Sequence, residues 1–389
     1  MYKDDATRAK YPGSEVVADE AFKKYISLDP TFKSLKDIGA QDAPFDIYSA
    51  SFNIGIKTFN AKKWDSASYY FKYAVYYSDV IFKNKFTSAN GFDTTAVLYA
   101  GFSAQNSKNY DEAVKFYERL ADSSVFGESY IDIYKYILVN NSDRKDSANF
   151  YKYYKIAKAG YPKTDWEEYE LDFIGKNYDL TQKTSLFDKA DAAGDLSELR
   201  YLHFADMFAN PTKTEKANMD SLTLAKYQSK AKEAFKKAFG KNPQNAIAAF
   251  NAGVISYNDF NLYDDRQRAN IKQLQELNAN KPVEKDPKKK PAADAKFKEL
   301  TDGLKKANAE LDKPLMDAID ASIEWLEKSF TLLKDKTSKV QNEKNCYNKS
   351  VDFLANLYSY KRDKARGKDP KAYDQYDAKF KLYDGLHVN

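Results

Sequence analysis

Two segments of the chain repeat the same spacing of a glycine, an alanine twelve positions later and an aromatic residue four positions after that. The two sets are Gly55, Ala67, Phe71 and Gly101, Ala113, Tyr117. A small residue on one helix lets a second helix cross it closely, and an aromatic residue one turn after the alanine fills the space between neighbouring helix pairs. The spacing therefore predicts an array of helix hairpins.

A third copy of the pattern is divided differently. Ala231, Phe235, Ala238 and Pro243 are spaced by 4, 3 and 5 residues, and Gly253 follows Pro243 by ten. The combined intervals give a period of 34 residues, and in this period and its small and aromatic positions the chain resembles the tetratricopeptide (TPR) repeat family. The resemblance implies an all-α fold, a right-handed α-α superhelix of about six helix-hairpin repeats with capping helices.

The pattern also predicts how the chain is organised. A first helix is expected from Ser14 to Leu28, where Asp29 and Pro30 end it. The last repeat is expected to consist of the helices Ala246–Phe260 and Leu315–Leu333, divided by an insertion in which a mobile loop, 278–295, separates two extra helical stretches. In the second helix, Ser322 and Leu326 are at the positions that Ala and the aromatic residue hold earlier. The expected divisions are 1–44, a tail and capping helix; 45–260, TPR-like repeats; 261–314, an insertion with a Lys/Pro-rich mobile loop; and 315–389, the last repeat helix and C-terminal capping helices.

Composition excludes several classes of protein. Charged residues make up 31% of the chain and the net charge is +5, which is typical of solvated helix faces and disfavours a nucleic-acid partner, because no DNA- or RNA-binding module is present. No apolar run approaches the roughly 18 residues of a transmembrane helix, and the first residues do not form a signal sequence. A soluble chain is expected.

The sequence offers little for catalysis. Its two histidines, His203 and His387, are far apart and distant from the single cysteine, Cys346, and no phosphate-binding glycine loop occurs. We therefore expect a non-enzymatic protein with no catalytic residue, no cofactor and no metal site. Cys346 is expected to be a small buried apolar residue.

The resemblance to the TPR family implies a binding groove. First helices of such repeats line the concave face, and the matching positions here are Asn53, Phe59, Asn60, Gln105, Asn106, Asn251, Tyr257 and Asn258. Amide side chains both donate and accept hydrogen bonds, so a row of them suits an extended peptide backbone. The alternative is that these Asn residues cap turns or bond neighbouring helices.

The expected function is a scaffold or adaptor that binds a peptide or protein segment in this groove. Two alternatives stay open: a structural subunit of a bacterial envelope assembly, or a carbohydrate-binding protein that uses exposed Tyr and Trp. The sequence from Asn251 to Asn258 and the segment Trp325–Lys328 resemble exported bacterial TPR proteins. That likeness implies a periplasmic or envelope-associated protein whose targeting segment has been removed, with peripheral rather than transmembrane attachment and the cytoplasm as the alternative; the oligomeric state is not indicated.

Two further patterns in the sequence each have two possible interpretations. Lysines between Lys281 and Lys298 are either an electrostatic contact for an anionic surface or a solubilising tether. Four tripeptides of the form Asp-Ser/Thr-X resemble sites at which some envelope systems attach sugars, although chance and repeat constraint also produce them. They begin at Asp65, Asp93, Asp146 and Asp220.

Overall fold

The computed structural model describes residues 10–11, 13–281 and 288–387, and within them the chain is all-helical, with seventeen α-helices and no β-strand. The all-α prediction is thereby confirmed. Helices that are neighbours in sequence pack together in pairs. The chain forms two compact units, Met1–Asn177 and Tyr178–Asn389. The expected N-terminal tail lies largely outside the described residues, as does the centre of the expected Lys/Pro-rich loop.

The N-terminal unit contains nine described helices and one short 3-10 turn, Glu128–Tyr130. The helices are α1 (Ser14–Leu28), α2 (Lys33–Asp37), α3 (Ala43–Asn60), α4 (Trp64–Lys83), α5 (Thr94–Asn106), α6 (Tyr110–Asp122), α7 (Ile131–Asp143), α8 (Ser147–Gly160) and α9 (Glu167–Asn177). Helices α3 to α8 pack as successive hairpins, and α9 contacts α7. Helix α1 covers the first hairpin, because its Phe22 packs in one apolar cluster with Ile47 of α3 and Tyr77 of α4.

The C-terminal unit contains eight described helices. They are α10 (Leu180–Ala193), α11 (Glu198–Ala209), α12 (Lys213–Ala217), α13 (Ser221–Lys241), α14 (Ala246–Ala279), α15 (Lys290–Lys334), α16 (Gln341–Ala365) and α17 (Pro370–Asp384). Helix α11 packs on α13, and from α13 onward each helix packs on the next. Helix α14 also contacts α16, so α14, α15 and α16 share one apolar core.

Aspartate side chains begin several of these helices. The carboxylates of Asp93, Asp146 and Asp220 each accept a hydrogen bond from a backbone N–H three residues later, at 2.9, 3.0 and 2.7 Å. Such a cap satisfies one of the amides that the first helical turn leaves without a partner. Three of the four Asp-Ser/Thr tripeptides are therefore helix caps. Asp65 differs, because it lies inside the first turn of α4, which begins after Lys63.

The helix hairpins cross closely at glycine. A Cβ atom placed on Gly101 would lie 2.3 Å from the ring of Tyr117, and one on Gly55 would lie 2.9 Å from the ring of Phe71. On Gly253 it would lie 2.8 Å from the side chain of Leu326. These are the three pairs that the sequence spacing brings into register. The crossing therefore depends on the absence of a side chain at each glycine.

The last pair keeps the repeat register across the insertion. The Ser322 hydroxyl is fully buried and donates to the carbonyl of Gly253 at 3.0 Å, although the two residues are 69 positions apart. A buried hydroxyl needs such a partner. Ser322 thus packs where the sequence pattern placed a small residue of the second helix.

The insertion itself differs from the prediction. The expected helix Ala246–Phe260 continues without a break to Ala279, and the expected helix Leu315–Leu333 is the second half of α15, which begins at Lys290 and runs through Pro314. The two extra helical stretches are extensions of the repeat helices rather than separate elements. Residues 290–295, expected in the mobile loop, are helical, whereas residues 282–287 lie outside the described part of the chain.

Polar side chains join the two extensions. The Gln267 side chain is 6% exposed and donates to the Asn308 carbonyl at 3.1 Å and to the Asp312 carboxylate at 2.8 Å. Asn270 donates to the side chain of Asn308 at 2.8 Å. Because buried amides are costly without partners, these bonds fix the register of one extension against the other.

A single carboxylate connects the last three helices. Glu327 of α15 accepts hydrogen bonds from the hydroxyls of Tyr358 and Tyr383 at 2.8 and 3.0 Å and from the Lys379 ammonium group at 2.8 Å. Burial alone would raise the pKa of Glu327, but these three donors outweigh it and hold the pKa below its ordinary value. The carboxylate therefore stabilises the docking of α16 and α17 on α15 while it is ionised.

Replacing Glu327 with Gln is expected to lower the free energy of unfolding by about 1–3 kcal/mol at neutral pH, because a charged acceptor of three hydrogen bonds is lost. Since the folded pKa lies below the unfolded one, the contribution of Glu327 is complete above about pH 4.3 and is lost as the pH falls through the folded pKa. Urea unfolding as a function of pH measures this, and a Gln variant whose stability matches the wild type at neutral pH contradicts it.

Substituting Gly101 by Ala is expected to destabilise the N-terminal unit by about 1–3 kcal/mol, since the new methyl group overlaps the Tyr117 ring. Gly303 is the matched control, because it is also helical and a Cβ there would meet no atom within 4 Å. Gly303→Ala should stabilise the protein by about 0.5–1 kcal/mol. Thermal unfolding of both variants tests the pair, and equal melting temperatures would refute the close-crossing argument.

Candidate functional site

The expected groove residues of the N-terminal unit lie on two first helices of successive hairpins. Helix α3 carries Asn53, Phe59 and Asn60, and α5 carries Gln105 and Asn106. Asn53, Asn60 and Asn106 are exposed, whereas Phe59 and Gln105 are half-buried. The set therefore divides into exposed amides and side chains that also serve packing.

Phe59 is an aromatic junction between three helices. Its ring centroid lies 5.2 Å from that of Trp64 and 6.3 Å from that of Phe71, both on α4, and 5.1 Å from that of Tyr99 on α5. Edge-to-face contacts of this kind stabilise a fold by more than the burial of their apolar area alone provides. Phe59 thus helps to hold α3 against α4 and α5.

Two of the amides have partners within their own hairpin. The Tyr117 hydroxyl donates to the Gln105 side chain at 2.6 Å, and the Asn106 amide donates to the carbonyl of Phe102 at 2.8 Å. For these two residues the geometry matches the alternative reading, in which the amides bond neighbouring helical groups. Asn53 and Asn60 present their amides at the surface of α3.

In the C-terminal unit the three expected groove residues all lie on α14, in different surroundings. Asn251 is half-buried and Asn258 is exposed. Tyr257 is only 8% exposed, its ring stacks on Phe353 at 4.2 Å, and its hydroxyl accepts a hydrogen bond from Asn356 at 2.9 Å. Tyr257 is therefore a core residue that joins α14 to α16.

Asn258 faces a cleft of about 550 Å³ that α13 and α14 form, which we name the α13–α14 cleft. A cleft of this size lies within the range that small ligands or a few side chains of a partner occupy, roughly 300–1,000 Å³. Its lining consists of Ala209, Ser221, Leu222, Leu224, Ala225, Gln228, Ile255, Asn258, Asp259, Leu262, Tyr263 and Arg266.

The cleft combines exposed apolar side chains with few polar groups. Leu222 is 79% exposed and Leu262 is 45% exposed, one on each helix. The Gln228 amide is held by the Ala209 carbonyl at 2.9 Å, and Asp259 is paired with Lys232 at 3.0 Å. Because Gln228 and Asp259 already have partners, Leu222 and Leu262 provide the main surface for contact with a ligand.

One cation in the cleft is uncompensated. Within residues 13–281 and 288–387, Arg266 has no ion-pair partner, and its side chain is exposed. A guanidinium group binds a carboxylate through two parallel hydrogen bonds. The arrangement suits a segment that brings apolar side chains and one acidic group.

The repeat pattern gives no indication of Leu222, Leu262 and Arg266. Asn258, Leu262 and Arg266 follow one another at intervals of four residues, which places these three on one face of α14. Leu262 and Arg266 lie beyond Phe260, where the repeat pattern ends and an insertion was expected. A prediction that the helix continues past Phe260 would have placed both residues on the same face as Asn258.

The nucleophilic and metal-binding residue types are dispersed. Cys346 is buried in α16, and burial raises the pKa of its thiol to about 11, so the thiol stays protonated at neutral pH. His203 lies on α11, and His387 contacts the Asp352 carboxylate at 2.8 Å. The described residues contain no group of three or more His, Cys, Asp or Glu placed to hold a metal ion.

Across the same described residues, no helix has both the length and the apolar character that crossing a lipid bilayer requires.

No family model fits the sequence, and no curated protein is significantly similar to it.

The contrast between two adjacent residues of α14 can be measured. Tyr257→Ala is expected to cost about 3–5 kcal/mol of stability, because it empties a stacked core position. Asn258→Ala should change stability by less than about 0.5 kcal/mol, because its side chain is exposed. Urea unfolding of each variant distinguishes them, and a large loss for Asn258→Ala would show that its amide is structural.

Proposed function

We propose that this protein is a non-enzymatic scaffold or adaptor of the TPR type, a right-handed superhelix of about six hairpins, and that it binds a protein or peptide segment. The hairpin pairing and the three close crossings at glycine support the repeat assignment. The resemblance to exported bacterial TPR proteins supports a location in the periplasm or at the cell envelope as part of this proposal, with the cytoplasm as the alternative.

The observation that carries the proposal is the α13–α14 cleft. Two leucines project into solvent from its facing helices, and an uncompensated guanidinium group lies on the same face as one of them. Leaving apolar side chains exposed in a concave surface is typical of a binding site rather than of a solvated face. The segment bound here would place apolar side chains on Leu222 and Leu262, an acidic group on Arg266 and backbone groups on Asn258.

A selection from a random library of short peptides, displayed against the full chain, tests this function. Enriched peptides should combine apolar residues with an acidic one. Leu222→Ser and Leu262→Ser together should weaken their binding by at least about tenfold, because the central apolar contacts of an interface contribute most of the affinity. Arg266→Glu should weaken acidic peptides selectively.

Leu382→Ser is the matched control, since Leu382 is an exposed leucine of α17 that does not line the cleft. It should leave peptide binding within about twofold of the wild type. Failure to enrich any peptide that depends on Leu262, or equal losses for the cleft variants and the control, would show that this cleft is not the binding site.

A further inference from the structure

Helix α4 carries five tyrosines within nine residues, from Tyr69 to Tyr77, and four of them have one of two roles. Tyr77 is fully buried, and its hydroxyl donates to the Asp19 carboxylate at 2.7 Å. Three others border a cleft of about 270 Å³, which we name the tyrosine cleft. Its lining is Lys23, Tyr69, Lys72, Tyr73 and Tyr76.

The tyrosines of the cleft form one stripe of the helix. Tyr69, Tyr73 and Tyr76 are spaced by four and three residues, which places them on the same face. Tyr69 is 42% exposed and Tyr76 is 38% exposed, and the ring centroids of Tyr69 and Tyr73 lie 4.7 Å apart. Tyr69 and Tyr76 therefore present aromatic surface to solvent on one face of the helix, and a ligand that covers it gains the free energy of removing that surface from water.

The two lysines do not give the cleft a net charge. The Lys23 ammonium group is 2.8 Å from the Asp19 carboxylate, and that of Lys72 is 2.6 Å from the Glu112 carboxylate. Lys23 also lies over the rings of Tyr73 and Tyr76, at 4.7 and 5.5 Å from their centroids. Because each cation is compensated, the cleft favours neither an anionic nor a cationic ligand.

The Tyr73 phenol stays protonated at neutral pH. A hydrogen bond with the Tyr69 side chain, burial and the nearby Asp19 carboxylate all raise the pKa of Tyr73 above its ordinary value. A neutral phenol both donates and accepts hydrogen bonds. The cleft thus offers aromatic faces, hydroxyl groups and ammonium donors without net charge.

We propose that the tyrosine cleft binds an uncharged saccharide. A sugar ring presents C–H groups on its faces and hydroxyls at its rim, which match aromatic side chains and neutral polar groups respectively. The volume of the cleft is just below the usual range of ligand sites, roughly 300–1,000 Å³, and favours a compact ligand of about one or two sugar rings. Proline-rich segments also bind aromatic grooves, but they do so in an extended form that spans several residues.

A glycan array probed with the full chain tests the proposal. The wild type should bind at least one neutral glycan, and Tyr69→Ala and Tyr76→Ala should each weaken that binding by at least about tenfold. Raising the salt concentration should leave the affinity unchanged, because no net charge is involved. Titration of the bound glycan by calorimetry gives the affinities.

Tyr110→Ala is the matched control, because Tyr110 is an exposed tyrosine of α6 that does not border the cleft. It should bind glycan within about twofold of the wild type, as should the Leu222→Ser, Leu262→Ser variant, since the two clefts share no residue. Melting curves of the Tyr69 and Tyr76 variants should match that of the wild type.

Three results would overturn the proposal. The first is that no neutral glycan binds the wild type. The second is that glycan binding survives both Tyr69→Ala and Tyr76→Ala, or falls equally in Tyr110→Ala. The third is that a proline-rich peptide, and no glycan, binds in a manner that depends on Tyr69.

Discussion

Three helix hairpins in the described part of this protein depend on the close approach of two helices at a glycine. At Gly55 and Gly101 an aromatic ring from the following helix occupies the space that a side chain would fill, and at Gly253 a leucine does so. Aromatic residues are only moderate helix formers, so they stabilise this fold through packing contacts such as these rather than through helix propensity. Positions on the same helices that take no part in the crossing can therefore have other roles.

Local spacing made the glycine crossings predictable, because both members of each pair lie in one hairpin at a fixed register. The same logic found Ser322 and Leu326 even though an insertion precedes them. It failed in the insertion, where the repeat pattern is absent: the expected helices ended at Phe260 and began again at Leu315, yet α14 continues to Ala279 and α15 begins at Lys290 and passes through Pro314. The polar contacts of Gln267, which hold the extension in register, link residues more than forty positions apart and leave no local signal.

The site was predicted only in part, for a geometric reason. Tyr257 and Asn258 were both expected in the groove, but consecutive residues of an α-helix point about 100° apart, so one of them enters the core when the other faces solvent. The structure assigns Tyr257 to the stack with Phe353 and leaves Asn258 exposed. A sequence pattern identifies the helix and its register more readily than the direction of each side chain, since that direction is decided by the partner helix.

The α13–α14 cleft is a consequence of the insertion. A repeat helix of ordinary length would end near Phe260, and the chain would turn there toward the second helix of the pair. Because α14 continues to Ala279, it carries Leu262 and Arg266 past that point and holds them beside the first turns of α13, where Leu222 lies. The polar contacts of Gln267 and Asn270 hold this extension of α14 against the other extension. A shorter α14 would retain the hairpin and its glycine crossing but would lose the cleft.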